Sequence, residues 1–445
     1  MTPAPALAAY AREVFAAALA AADATAFTRD ALDHSFANHH ASRSRTHRII
    51  ALGKAAPAMA QAALTFCITE KRHVASGIVV GAGPITVALA PLETIAGDHP
   101  IPRDRSLFAA ERLEEHCERV GSNDVAIVLI SGGTSALVGA PVFGLHQHDL
   151  AAIHELLIGV GFDIARVNAV RKRFSQWGAG RLAAALAPAQ LFPIMLSDVP
   201  GDDVAAIGSG PCAPDPLTAA DVEEILRDAR IATKLPLALA AYLGAVRAGS
   251  LPETPKQGSI VFANVHPPVV GNNALALRAA EHAATVGGAA HGIQRVVLDQ
   301  RPLTGDAAEA GRAIARAVLA APPGTCLLLG GETTVRLPPD HGRGGRNQQL
   351  ALAAAQIFHD AGRDAPSVLL LAAGTDGRDG PTDAAGAIVD NHSWSAVQNA
   401  GIDPVACLAA CDAYSALDAA GALLRTGPTG TNVADVIIAL RSLSV

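Results

Sequence analysis

Short apolar runs alternate with longer alanine-rich stretches along almost the whole chain. Residues 48–52, 77–80, 125–130 and 191–196 have the length and apolar density of buried strands. Between them, residues 55–66, 106–119 and 179–186 carry apolar positions at helical spacing. A second series follows. It has strands at 259–265 and 294–298, helices at 274–286 and 307–319, strands at 326–329 and 368–372, and a last strand at 436–440. Strand–helix alternation of this kind predicts α/β architecture with parallel sheets, Rossmann-like in the N-terminal half. Residues 250–259 (SLPETPKQGS) are polar and rich in proline and glycine, without periodicity, and read as a linker. The expected domains are therefore 1–248 and 258–445. A chain of 445 residues also exceeds what one hydrophobic core serves.

Composition narrows the class. Half the residues are apolar, the excess being mostly alanine, and aromatics are only 4%, so the core is expected to be aliphatic. A net charge of −7 with no long basic run argues against a nucleic-acid partner. No run of 18 uninterrupted apolar residues occurs, so no membrane span is expected. The alanine-rich segment 7–22 is interrupted by Arg12 and Glu13 and has no basic segment before it, so it reads as a helix rather than a signal peptide. Six cysteines (Cys67, Cys117, Cys212, Cys326, Cys407, Cys411) lack disulfide or zinc spacing, which suits a reduced, cytoplasmic protein. Alanine-rich helix faces could support a homodimer or be core; the sequence leaves that open.

Open α/β sheets bind ligands at the carboxyl ends of their strands, so each strand that exits into glycine is a candidate site. The first exit is Gly53-Lys54. Only five lysines occur in the chain, and the compact charge of one at a strand exit suits a phosphate or carboxylate. The second is Ser131-Gly132-Gly133-Thr134-Ser135, where glycines admit an anion to the backbone amides and hydroxyls add donors. It is neither a Walker A loop nor a nucleophile elbow. The third bears Asp198, a strand-end carboxylate able to hold a hydroxyl, act as a base or bind Mg²⁺, with Asp202 and Asp203 read as turn residues. The basic cluster Arg171-Lys172-Arg173 reads as a solvated helix face in preference to an anion site.

The densest chemistry lies between Gly330 and Asp383. Glu332 follows one strand, and Asp376, Asp379 and Asp383 follow another. Between these strands a Gly-Arg-rich turn opens a helix whose first residues are Arg346 and Asn347, while Arg343 is expected in a mobile loop. Free amides, a guanidinium and metal-ready carboxylates brought together suit phosphoryl transfer. Asn432, just before the last strand, could donate to a ligand.

In order, the motifs GKAA, GDHPIP, SGGTSALV, SDVPGD, GSGP, GGETTV, GRGGRNQ, AAGTDGRDGPTDAAGA and TGTNVADV resemble the class II glycerate 2-kinase family, with its DUF4147 N-terminal and MOFRL C-terminal domains. The resemblance covers nearly the whole chain. It implies ATP- and Mg²⁺-dependent phosphorylation of D-glycerate to 2-phosphoglycerate, in a cleft between two α/β domains. It implies a site of Lys54, Asp198, Glu332, Arg346, Asp376 and Asn432, with the 131–135 loop in the same cleft; Asn347, at the helix start, is the further candidate for binding substrate or nucleotide. Lys54 and Arg346 would neutralise the glycerate carboxylate and the transferred phosphoryl group. Asp198 would orient or deprotonate the hydroxyl, and Glu332 or Asp376 would hold the metal. One stretch departs from the family: Arg173, Phe174, Gln176, Trp177 and Ala179 stand where it usually shows VRKHLS…KGG, which bears on acceptor preference. The alternative of an NAD(P)H-dependent hydroxypyruvate reductase lacks a GxGxxG fingerprint, Gly81-Ala82-Gly83-Pro84 being the nearest match. A non-catalytic binding protein would be expected to lose Lys54 or the carboxylates, and none is lost.

Overall fold

The computed structural model describes residues 4–39, 43–160, 162, 164–199, 201–362 and 365–443. Among the described residues, twelve strands form two six-stranded sheets. They are β1 (Thr46–Leu52), β2 (Val74–Gly81), β3 (Leu92–Ala96), β4 (Asp124–Ile130), β5 (Gln190–Leu196), β6 (Val269–Gly271), β7 (Arg295–Leu298), β8 (Thr325–Gly331), β9 (Val368–Gly374), β10 (Gly386–Asp390), β11 (Leu423–Leu424) and β12 (Asp435–Arg441).

The first sheet has the order β3-β2-β1-β4-β5-β6, with β1 to β5 parallel. Every residue of β4 is buried, as expected of a central strand covered on both faces. The strand order reverses between β1 and β4, the kind of switch point at which open α/β sheets bind ligands. The core of this unit is aliphatic (Ile50, Ile78, Val80, Val128, Leu182, Met195), with a helical satellite around Ile153, Leu226 and Leu243.

The second sheet has the order β11-β10-β9-β12-β8-β7. It is mixed, unlike the parallel sheet that alternation alone predicts. β12 lies antiparallel between β8 and β9, and β10 is antiparallel to β9. The start of β12 therefore sits beside the ends of its two neighbours: Asp435 pairs in register with Gly331 and with Gly374.

The compact units are Ala24–Val270 and, separately, Met1–Asp23 with Gly271–Val445. Helix Ala4–Ala21 belongs to the second because Tyr10 reaches across to helix Asn273–Gly287. Its hydroxyl donates to the Ala284 carbonyl at 2.7 Å and its ring stacks on His291. The boundary expected near residue 250 lies instead at 270/271, and residues 259–265 form a short 3₁₀ turn (Ile260–Phe262) in place of the expected strand. The cause is electrostatic. Asp215 is 1% exposed and receives Arg173, Lys172, Thr254 and Lys256, which ties the proline-rich segment into the first unit. Lys172 and Arg173 are thus buried, not a solvated face. Among the described residues no single helix is long and apolar enough to cross a membrane.

Candidate active site

In the first unit the switch point gathers the first two glycine exits. The Lys54 amide donates to the Gly132 carbonyl at 2.9 Å and the Ser131 amide to the Leu52 carbonyl at 2.9 Å, stitching the β1 and β4 exits together. Gly53 (φ 126°) is required here: a Cβ would lie 2.2 Å from Ser131 Oγ. Ser131 Oγ accepts the Ala55 amide at 3.0 Å, and Thr134 Oγ1 donates to the carbonyls of Leu52 and Ser131. Both residues are 1% exposed, and the Thr134 hydroxyl is committed as a donor to the loop itself. Ser135 is exposed and hydrogen-bonds the Ser209 hydroxyl at 2.7 Å, which brings in the Gly208–Ser209–Gly210 turn. Lys54 is exposed beside this loop, and His99 lies close enough that the ammonium and, more strongly, burial lower its pKa. Asp198 stands half-buried two residues past the end of β5. Asp203 accepts the Ala205 amide at 2.9 Å, the turn role expected of it.

In the second unit the exits of β8 and β9 converge through β12. Arg346, the first residue of helix Arg346–Asp360, is gripped in a fork by Asp435: Nε to Oδ2 at 2.6 Å and Nη2 to Oδ1 at 2.9 Å. Its remaining terminal nitrogen, Nη1, meets Glu332 Oε1 at 2.6 Å. Burial disfavours the guanidinium charge, but the bonds to Asp435 outweigh it and raise the pKa above the ordinary arginine value, with Glu332 adding to the effect. A third of the Arg346 side chain stays exposed, at 33%, against 2% for Asp435. One face of a fixed cation is therefore left for solvent or a ligand. Asp435 was missed from the sequence. Its signal was a carboxylate opening an apolar strand, and only the antiparallel direction of β12 places it at the exits.

The helix terminus holds an anion of the protein's own. Asp379 accepts the amides of Asn347 (3.0 Å) and Gln348 (2.8 Å) and is 2% exposed. This is the usual place for a carboxylate at a helix N-terminus. Burial pushes its carboxyl up to about 6, against the two amides that pull it down. A Cβ on Gly345 would lie 2.3 Å from Asp379 Cγ, so only glycine fits there. Asn347, expected at the substrate or nucleotide, is 1% exposed, with its amide nitrogen turned to Asp379 at 3.4 Å. Arg343 is held by Asp412 through its amide at 2.9 Å and lies over the Tyr414 ring, so it is pinned where a mobile loop was expected. Asp383 pairs with Tyr414 and Arg425 at the surface.

Asp376 accepts the Arg378 amide with Oδ1 at 2.9 Å. A Cβ on Gly374 would lie 3.3 Å from that oxygen and 3.4 Å from Asp435 Oδ1, which sets Asp376 beside the Arg346 cluster. Asn432 Oδ1 accepts the Ala434 amide at 3.3 Å in the loop that leads into β12. Among the described residues no three His, Cys, Asp or Glu side chains converge on one point. That fits Mg²⁺ only in its common form, held by one or two carboxylates plus phosphates while keeping its waters. Of the two expected ligands, Glu332 pairs with Arg346, and Asp376 accepts a backbone amide with one oxygen.

The family of domain of unknown function DUF4147 matches residues 10–244, and the MOFRL family matches residues 325–435. The D-glycerate 2-kinase of Thermotoga maritima is 36% identical over 406 residues, 88% of this chain and 90% of its own. A crystal structure of glycerate kinase from the same organism superposes with a TM-score of 0.82 at 33% identity, covering 98% of this chain and 99% of that one. A protein of Agrobacterium vitis provisionally named hydroxypyruvate reductase is 38% identical over 371 residues, 81% of this chain and 80% of its own. With matches of this extent at both the sequence and the structural level, the chain belongs to the glycerate 2-kinase family built from a DUF4147 domain and a MOFRL domain.

Proposed function

We propose that this protein transfers the γ-phosphoryl group of ATP to the 2-hydroxyl of D-glycerate, giving 2-phosphoglycerate and ADP. The observation that carries the reading is Arg346: a guanidinium fixed by two carboxylates, part-exposed, where β8, β9 and β12 meet. Phosphoryl transfer asks little covalent work of a protein and much fixed positive charge. Arg346 is assigned to the oxygens of the transferred group, whose charge it stabilises without reorienting. Lys54, exposed at the switch point, is assigned to the glycerate carboxylate. Asp198 accepts the proton of the 2-hydroxyl as the new O–P bond forms and the bond to the ADP oxygen breaks. Asp376 is the residue that would hold Mg²⁺, whose charge would neutralise the nucleotide phosphates.

A reductase reading would need a nicotinamide site. The β1 exit offers Gly53-Lys54 in place of a GxGxxG turn, and Gly81 ends β2 with no helix directly after it. The test is a two-arm assay on purified protein. One arm contains D-glycerate, ATP and Mg²⁺, with ADP and the phosphoglycerate isomers followed. The other contains hydroxypyruvate with NADH or NADPH. Magnesium-dependent 2-phosphoglycerate is expected in the first arm; nicotinamide oxidation without ADP would reverse the assignment.

A further inference from the structure

The motif GDHPIP has no part in the function proposed above, yet it lies at the site. It forms the loop after β3, and the first unit holds that loop against the β1 and β4 exits. The Gly97 amide donates to the Gly81 carbonyl at 2.9 Å. A Cβ on Gly97 would lie 2.6 Å from the Leu137 carbonyl oxygen, so the loop is pressed onto helix Thr134–Leu137. Asp98 ties it to helix Asp104–Glu118. Its Oδ2 accepts the Arg105 amide at 3.0 Å, and its own amide donates to Ser106 Oγ at 3.0 Å. His99 is thereby set beside Lys54. A Cβ on Gly133 would lie 3.1 Å from His99 Cδ2, 3.4 Å from His99 Nε2 and 3.4 Å from Lys54 Cγ. The imidazole and the lysine chain therefore meet across that glycine.

His99 reaches solvent, and among the described residues no hydrogen bond or ion pair engages its ring. Partial burial first, and the Lys54 ammonium second, lower its pKa below the ordinary histidine value. At neutral pH the ring is therefore uncharged, with one nitrogen a donor and the other an acceptor. Lys54 answers an anion; a neutral ring beside it answers a hydroxyl. We propose that His99 binds the 3-hydroxyl of the acceptor and sets the preference for it. D-glycerate carries an oxygen-bearing group on each of three consecutive carbons. With the carboxylate on Lys54 and the 2-hydroxyl at Asp198, the 3-hydroxyl is the group left for a neutral partner. The inference rests on the kinase reading above, which assigns the other two groups. It gives the site a means of telling glycerate from a 2-hydroxy acid that lacks the third oxygen-bearing group.

The test removes the ring and the hydroxyl separately. D-lactate is D-glycerate without the 3-hydroxyl. For wild type and His99→Ala, checked for an unchanged melting temperature, kcat and KM are measured with D-glycerate and ATP. D-lactate is then titrated as a competitor of D-glycerate to give its inhibition constant. His99→Ala is expected to raise the glycerate KM at least ~10-fold, the scale of one lost hydrogen bond to a neutral group. The kcat should stay within ~3-fold of wild type, because the contact is the same in the ground and transition states. The D-lactate constant should stay within ~2-fold, because that ligand has no 3-hydroxyl to lose and the two deletions are therefore not additive. His99→Gln, which restores a donor and an acceptor, should bring the glycerate KM back to within ~3-fold of wild type. A glycerate KM unmoved in His99→Ala, or a D-lactate constant that weakens as much as the KM, would overturn the assignment. So would a loss confined to kcat, which would make His99 a proton-transfer group. In each of these cases continued phosphorylation of glycerate by wild type leaves the kinase reading standing; if wild type phosphorylates no glycerate, both fall.

Discussion

An arginine held by two carboxylates is a charge fixed in place, and fixed charge is what a phosphoryl-transfer site needs. Asp435 takes two of the Arg346 nitrogens and Glu332 a third. Truncating Arg346 to alanine would leave Asp435 buried and unpaired, which costs about 3–5 kcal/mol and confuses activity with folding. Arg346→Lys is the cleaner variant: it keeps the charge and loses the fork. It should lower kcat/KM by at least ~10²-fold, the scale of removing one charge-stabilising donor. A folded Lys variant turning over at the wild-type rate would take Arg346 out of the mechanism. Asp379 gives a prediction in pH. Its folded pKa, about 6, lies above the ordinary aspartate value of 3.8. A native state that binds the proton more tightly is stabilised below about pH 4 and loses that stability as pH rises through about 6. The shift corresponds to about 3 kcal/mol at 1.36 kcal/mol per unit. The difference in unfolding free energy between wild type and Asp379→Asn, measured from pH 4 to pH 7, should change by that order as wild type weakens. A flat difference would show that Asp379 titrates normally.

At the scale of elements, the strand–helix alternation carried most of the fold. β1, β4, β5, β8, β9 and β12 lie where apolar runs predict them, because a buried strand needs little more than a continuous apolar run between breakers. Strand direction was not legible. β12 reads the same whether parallel or antiparallel, and only the antiparallel insertion brings Asp435 to Gly331 and Gly374. The bonds of the 131–135 loop were not legible for a related reason: periodicity places a loop but does not say that the Thr134 hydroxyl donates to its backbone or that the Ser131 hydroxyl accepts from it. Residues 250–259 look like a linker by composition, yet Thr254 and Lys256 dock on Asp215. Asp215→Ala should remove the buried carboxylate that Lys172 and Arg173 share and cost about 3–5 kcal/mol in urea denaturation. A loss below about 1 kcal/mol would show that the segment is held by packing instead.

For the whole molecule, the proposed function draws one cation from each α/β unit: Lys54 just past β1 in the first and Arg346 at the start of helix Arg346–Asp360 in the second. The sequence motifs named both. Their pairing with a particular substrate is the functional claim, and regiochemistry tests it most directly. Purified protein is incubated with D-glycerate, ATP and Mg²⁺, and the product is resolved by ³¹P NMR for wild type, Lys54→Ala and Arg346→Lys. The account predicts 2-phosphoglycerate from wild type and at least ~10²-fold less of it from either variant, with folding intact. Phosphorylation at the 3-hydroxyl, or undiminished product from both variants, would contradict it.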